Sequence, residues 1–204
     1  MSSTVKSVAM GNGMRDAWKR DRIHGLRLSI IEGGREMVAA RLFDSEGGNL
    51  SARIDEDRFL ITPAGKAKDE LAIDDLFEIE IASPNVPEGA SSEVGLHRAI
   101  YARFPAIHAV VHAHPEKILD LAGDGLAPDP KRLVNGGSVL DRVSFIEDFP
   151  PGSRSLAEEV ALGISLAPSL VIAAHGAVTV GATVGQAVIR MIRLERLALV
   201  TRGG

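Results

Sequence analysis

The chain has 204 residues, 45% of them hydrophobic and 25% charged, a balance that suits one folded domain with a sizeable core and excludes a disordered chain. A formal net charge of -4 gives no general attraction to nucleic acid or to an anionic membrane, which leaves small, uncharged or locally captured ligands open. The absence of cysteine excludes disulfides, thiolate metal sites and cysteine nucleophiles, and any metal must be held by nitrogen and oxygen.

Residues 1–14 are small and polar with no apolar period and read as a mobile tail, leaving residues 15–204 as a single domain. The start lacks the charged-then-apolar pattern of a secretion signal, and apolar stretches such as Leu170 to Ala174 are too short to span a bilayer. The cytoplasm is therefore the expected compartment. From Trp18 to Leu42 apolar residues recur at helical spacing around Gly33-Gly34, which predicts two helices joined at the glycines. Asn49 to Ile54 and Arg58 to Thr62 predict a hairpin turning at Asp55-Glu56-Asp57, and the alternation of Phe77 to Ile81 predicts a third strand. Leu96, Ile100 and Phe104 share one helical face, with Ser91 and Ser92 as cap and Glu93 in the first turn. Ala109 to Ala113 and Leu170 to Ala174 predict short apolar strands ended by Pro115 and by His175-Gly176, and the chain resumes as a strand over Ala177 to Val180. The Gly-, Pro- and Asp-rich stretch from Gly123 to Gly152 predicts a long loop with short strands. Thr183 and Gln186 are spaced as a capping box for a last helix carrying Val184, Val188, Met191 and Ile192.

His112 and His114 are two apart in a predicted strand, so their side chains leave the same face and can grip one ion. His175, at another strand end, is the candidate third imidazole of a three-histidine zinc site with an open fourth position. The same spacing also suits edge-strand histidines that meet water or backbone. Glu93 reads either as an acid/base or as a carboxylate favoured by the helix dipole and paired with His97. The helix start at Ser91-Ser92 and the loops Gly47-Gly48-Asn49 and Thr62-Pro63-Ala64-Gly65 offer backbone N–H groups suited to phosphate, though glycine turns often only turn. His24, His97 and His108 have no comparable setting and are left out of the site.

The segments G-G-N-L-S (47–51), L-I-T-P-A-G (60–65), S-S-E (91–93), V-V-H-A-H-P (110–115) and A-H-G (174–176), in this order, resemble the class II aldolase and adducin family from about Gly33 to Val200. The resemblance implies a three-layer α/β/α fold around a mostly antiparallel sheet, assembled as a homotetramer with sites between subunits. It implies His112, His114 and His175 as zinc ligands, Glu93 as the catalytic acid/base, and Asn49, Gly65, Ser91 and Ser92 as the substrate-phosphate cradle. The function it implies is an aldolase-type lyase cleaving a small hydroxy-carbonyl compound, a sugar phosphate, through a metal-stabilised enediolate. Cobalt, nickel or iron also suit imidazole ligands. Decarboxylation, dehydration or epimerisation at the same metal is the alternative, and a non-catalytic adducin-like module, a branch that loses the histidine triad, is a further one. Two features depart from the family. Its sugar-phosphate aldolases use a tyrosine beyond the last helix to protonate the aldehyde oxygen, whereas this chain ends at Gly204 and its one tyrosine, Tyr101, is expected to pack. Ala64 replaces a hydroxyl residue of the phosphate loop, with Lys66 beside it as a substitute charge.

Overall fold

The computed structural model describes residues 12–43, 47–132 and 142–202. Helix α1 (Asn12–Ala39) begins inside the expected tail, whose residues 1–11 lie outside the described residues, and runs unbroken through Gly33-Gly34. The glycines do not divide two helices; they admit neighbours. A Cβ on Gly33 would lie 2.8 Å from Val184 Cγ1, and one on Gly34 2.5 Å from the Lys68 carbonyl oxygen. Close packing there offsets the roughly 1 kcal/mol that glycine costs a helix interior.

Among the described residues seven strands form one sheet: β1 (Asn49–Arg53), β2 (Arg58–Ile61), β3 (Phe77–Glu80), β4 (Ala109–Ala113), β5 (Ser144–Ile146), β6 (Ser169–Ile172) and β7 (Gly176–Gly181). Their order is β3-β2-β1-β4-β7-β6-β5, and the β5–β6 pair alone is parallel. The expected hairpin, third strand and histidine-bearing strands are all present, within a residue or two at their ends. The expected long loop carries only β5 and a short 3-10 turn at Pro130–Arg132, and its residues 133–141 lie outside the described residues.

Helices α2 (Val94–Arg103) and α4 (Arg154–Leu166) cover one face of the sheet; α1, α3 (Glu116–Gly123) and α5 (Val184–Arg202) cover the other. Alternation along the strands sorts the core accordingly. Leu50, Ala52, Val111 and Ala113 pack toward α1 and α5, while Val110, Val178 and Val180 pack toward α2 and α4. This is the three-layer α/β/α arrangement with a mostly antiparallel sheet. α3 and α4 rest on short apolar spacings, Ile118 with Leu121 and Leu156 with Val160 and Ile164. α4 is capped by Ser153, whose hydroxyl accepts from the Leu156 N–H, and α5 by Thr183, which accepts from the Gln186 N–H. Among the described residues no helix is long and apolar enough to cross a membrane.

Candidate metal centre

β4 lies in the middle of the sheet, between β1 and β7, so His112 is not an edge-strand histidine. It sits opposite Asn49 on one side and Val178 on the other, and is fully buried. His114 follows on the same face, just past the strand end, and His175 comes from the β6–β7 connection, where Ala174 adopts a positive φ of 52°. Glu93 caps α2 instead of standing in its first turn, and the Ser91 hydroxyl accepts from the Glu93 N–H at 3.3 Å. Ser91 thus braces the glutamate from two residues before it.

The three rings stand 4.8 to 5.4 Å apart between centroids. His112 Nε2 lies 3.0 Å from His114 Nε2 and 3.0 Å from Glu93 Oε2, and His175 Nε2 lies 3.4 Å from Glu93 Oε1. One ligand atom from each of the four side chains falls within 4.8 Å of all the others. Ligands about 2.0 to 2.1 Å from a tetrahedral ion are separated by roughly 3.3 Å, so this spacing fits a single small divalent cation. Two further details agree with that fit. The Nδ1 of His112 meets the Ala177 carbonyl at 3.0 Å, which fixes the proton on Nδ1 and leaves the Nε2 lone pair to a metal. Glu93 Oε1 is buried and faces His175 Nε2 across 3.4 Å, longer than an ordinary charge-assisted hydrogen bond. Burial pushes the Glu93 carboxyl up, but hydrogen bonds from His112 and His175, the charge of His112 and the Asn49 amide outweigh it and hold the group well below the usual carboxylate range.

Over the cluster opens a cleft of 560 Å³, a size suited to a small metabolite. Asn49, Gly65, Ser91, Ser92, Glu93, His114 and His175 line it, with His112 immediately beneath. The structure therefore brings together all eight side chains and backbone positions singled out in the sequence. Gly47, Gly48, Pro63 and Ala64 complete that wall, and Gly48 and Gly65 have positive φ values of 72° and 59°, which glycine adopts without strain. Lys66 is not part of the lining; its ammonium bonds Asp75 Oδ2 at 2.6 Å. Asp148, Pro151 and Gly152, also in the lining, come from the segment between β5 and α4. No motif marked that segment, whose composition shows only a loop.

His97, left out of the site on sequence, is in neither the cluster nor the cleft lining, but it packs against a residue that lines the cleft. It is fully buried and meets Asn49 Oδ1 at 2.5 Å, directly behind the glutamate. His24 and His108 stay outside the cluster and the cleft.

Residues 29–201 match the family described as the Class II Aldolase and Adducin N-terminal domain. A methylthioribulose-1-phosphate dehydratase from Pectobacterium carotovorum is 36% identical over 156 residues, which cover 69% of this chain and 76% of the relative. The protein of the same name from Serratia proteamaculans is 46% identical over 70 residues, a third of each chain. Among solved structures, L-fuculose-1-phosphate aldolase from Thermus thermophilus superposes with a TM-score of 0.79 at 29% identity, covering 90% of this chain and 95% of its own. A sugar-phosphate aldolase from Thermotoga maritima, at 22% identity, shares the fold with a TM-score of 0.76, covering 90% and 94%. With the histidine triad retained around one carboxylate, the chain belongs to the class II aldolase and adducin N-terminal domain family, as a metal-dependent enzyme of the lyase type.

Proposed function

We propose that this chain is a zinc-dependent dehydratase acting on a ketose 1-phosphate of the methylthioribulose kind. The observation that carries the reading is a single carboxylate, Glu93, set against His112 and His175 at the floor of the cleft. The identity to dehydratases of that substrate supports it. His112, His114 and His175 would hold the zinc, which when bound polarises the substrate carbonyl and so acidifies the neighbouring C–H. Glu93 takes the proton from the carbon beside the carbonyl, the C–O bond of the next carbon breaks, and the hydroxyl leaves as water with a proton returned by Glu93. The double bond formed is an enol, which tautomerises to a diketone. Gly65, Ser91, Ser92 and the Gly47-Gly48 backbone receive the phosphate, and Asn49 lies between that cradle and Glu93. Residues 15–204 act as one domain, assembled as a homo-oligomer.

The second reading is retro-aldol cleavage of a sugar phosphate, supported by the likeness to L-fuculose-1-phosphate aldolase. Tyr101, the one tyrosine of the sequence, is buried behind β1 and does not reach the cleft, so it does not serve an aldehyde oxygen there. The test is to incubate zinc-loaded protein with methylthioribulose 1-phosphate and with L-fuculose 1-phosphate and follow the products by mass spectrometry. A product lighter by one water, lost with His112→Ala, is expected. Release of an aldehyde from either substrate establishes the second reading, and less than one tightly held metal per chain, unaffected by His112→Ala, refutes both.

A further inference from the structure

From Asn49, which lines the cleft beside Glu93, a file of polar side chains runs inward through His97, Ser51 and Tyr101, none of which lines the cleft. Asn49 and Ser51 are alternate residues of β1 and face α2; His97 and Tyr101 are one turn apart on α2 and face them. All four are buried, with exposures from 0 to 4%. Asn49 Nδ2 donates to Glu93 Oε2 at 2.9 Å, Asn49 Oδ1 lies 2.5 Å from His97 Nε2, His97 Nδ1 lies 2.6 Å from Ser51 Oγ, and Ser51 Oγ lies 2.8 Å from the Tyr101 hydroxyl.

The polarity of the whole file follows from its first link. An ionised carboxylate only accepts, so Asn49 must turn its NH2 toward Glu93 and its carbonyl toward His97. His97 then carries its proton on Nε2, its Nδ1 accepts from the Ser51 hydroxyl, and Ser51 Oγ accepts from Tyr101. Reversing any one link sets two donors or two acceptors against each other. Apolar side chains of similar volume often fill such a space with little loss of stability, but they would leave Asn49 Oδ1 without the donor that holds the far side of the amide.

We propose that His97, Ser51 and Tyr101 are positioning residues: together they fix the Asn49 amide so that its N–H is aimed at Glu93 and the carboxylate keeps one orientation above the histidine cluster. The inference rests on the reading of Glu93 as the proton carrier. Burial, with a lesser part from the charge of His112, pushes the His97 ring down to about 3, so it is neutral and its tautomer is defined. Tyr101 is held independently by its ring contact with Phe59 at 4.9 Å and by the Arg53 guanidinium 4.8 Å over its face, so removal of the hydroxyl alone leaves the packing in place.

Two measurements test this. In zinc-loaded wild-type protein, 15N NMR of labelled histidine, with His97 assigned by through-bond correlation, should show a neutral ring protonated on Nε2; a ring protonated on Nδ1, or on both nitrogens at neutral pH, overturns the proposal. In turnover, Ser51→Ala and Tyr101→Phe should each lower kcat about tenfold, the usual effect of losing a supporting hydrogen bond behind a reactive group. KM and zinc content per chain should stay within about twofold, and Ser51→Thr should restore most of the rate. Wild-type kcat in folded Ser51→Ala and Tyr101→Phe overturns the proposal. Failure to turn over any ketose phosphate counts against the reading of the reaction instead, and the tautomer measurement then decides the orientation of the file by itself.

Discussion

His97 makes the stability of this protein sensitive to mild acid. Its ordinary value is 6.5, and burial followed by the charge of His112 pushes the folded ring down to about 3, against a smaller upward pull from Glu93. Below pH 6.5 the unfolded chain therefore binds a proton that the folded chain refuses. The sign is that of a base with a depressed folded value: stability is full above about 6.5 and is lost as pH falls through the window down to about 3. At about 1.4 kcal/mol per pH unit, a fall from pH 7.5 to 5 removes about 2 kcal/mol through this one ring. His97→Gln keeps an N–H for Asn49 Oδ1 and a carbonyl oxygen for Ser51 but takes up no proton in that window. Urea unfolding of metal-free protein at fixed concentration, between pH 7.5 and 5, should show wild type losing about 2 kcal/mol more than the variant. Metal removal matters because proton competition at His112, His114 and His175 otherwise adds a pH dependence of its own, and the remaining titrations cancel in the difference between the two proteins. Parallel stability curves would refute the reasoning, because they would mean that the ring is protonated as readily in the folded chain as in the unfolded one.

Three other perturbations are specified by the structure. Glu93→Gln keeps the shape and contact of the carboxylate but not its basicity, so kcat should fall by about 10²- to 10⁴-fold while bound metal per chain is unchanged, as read by steady-state kinetics and elemental analysis. Glu195 accepts from the Lys117 and Ile118 N–H groups at 2.9 and 3.0 Å, pinning the start of α3 to α5; Glu195→Ala leaves both donors unpaired and should cost about 1–3 kcal/mol in urea unfolding. A Cβ on Gly176 would lie 2.3 Å from the Ala113 carbonyl oxygen and 2.9 Å from His114 Cδ2. Gly176→Ala should therefore spread the strands around the histidine cluster and weaken divalent-metal affinity by about tenfold or more in a chelator competition.

The strands were legible because alternation and their turn residues are local signals: Asn49 to Arg53, Phe77 to Glu80 and Ala109 to Ala113 each carry their own pattern and boundary. The clustering of the histidines with Glu93 was legible for a different reason. The alternation of His112 and His114 puts two imidazoles on one face from sequence alone, whereas His175 and Glu93 join them through the order of their motifs. Features that depend on what lies opposite were hidden. Gly33-Gly34 looks like a helix break until Val184 and Lys68 are known to approach it, and which of the α4 leucines face the core, Leu156 but not Leu162 or Leu166, shows only once the sheet beneath them is in place. Asp148 enters the cleft wall from a loop whose sequence carries no periodicity. Tyr101 was expected to pack, and it does, but its hydroxyl also anchors a polar file that crosses between α2 and β1.

That file explains an otherwise unfavourable feature of β1. A strand in the interior of a covered sheet is expected to be apolar on both faces, yet Asn49, Ser51 and Arg53 occupy every position that faces α2, and all are buried. Each is satisfied: Arg53 closes the far end by donating to the carbonyls of Tyr101, Phe104 and Ile107. Side-chain and backbone partners together remove the unpaired groups that make buried polarity costly. What distinguishes the polar stripe from an apolar one is direction, since hydrogen bonds of fixed polarity specify one arrangement where hydrophobic contacts admit several. The stripe runs from the carbonyls at the end of α2 to the carboxylate in the cleft, and it ends on the side chain to which the proposed proton transfer is assigned.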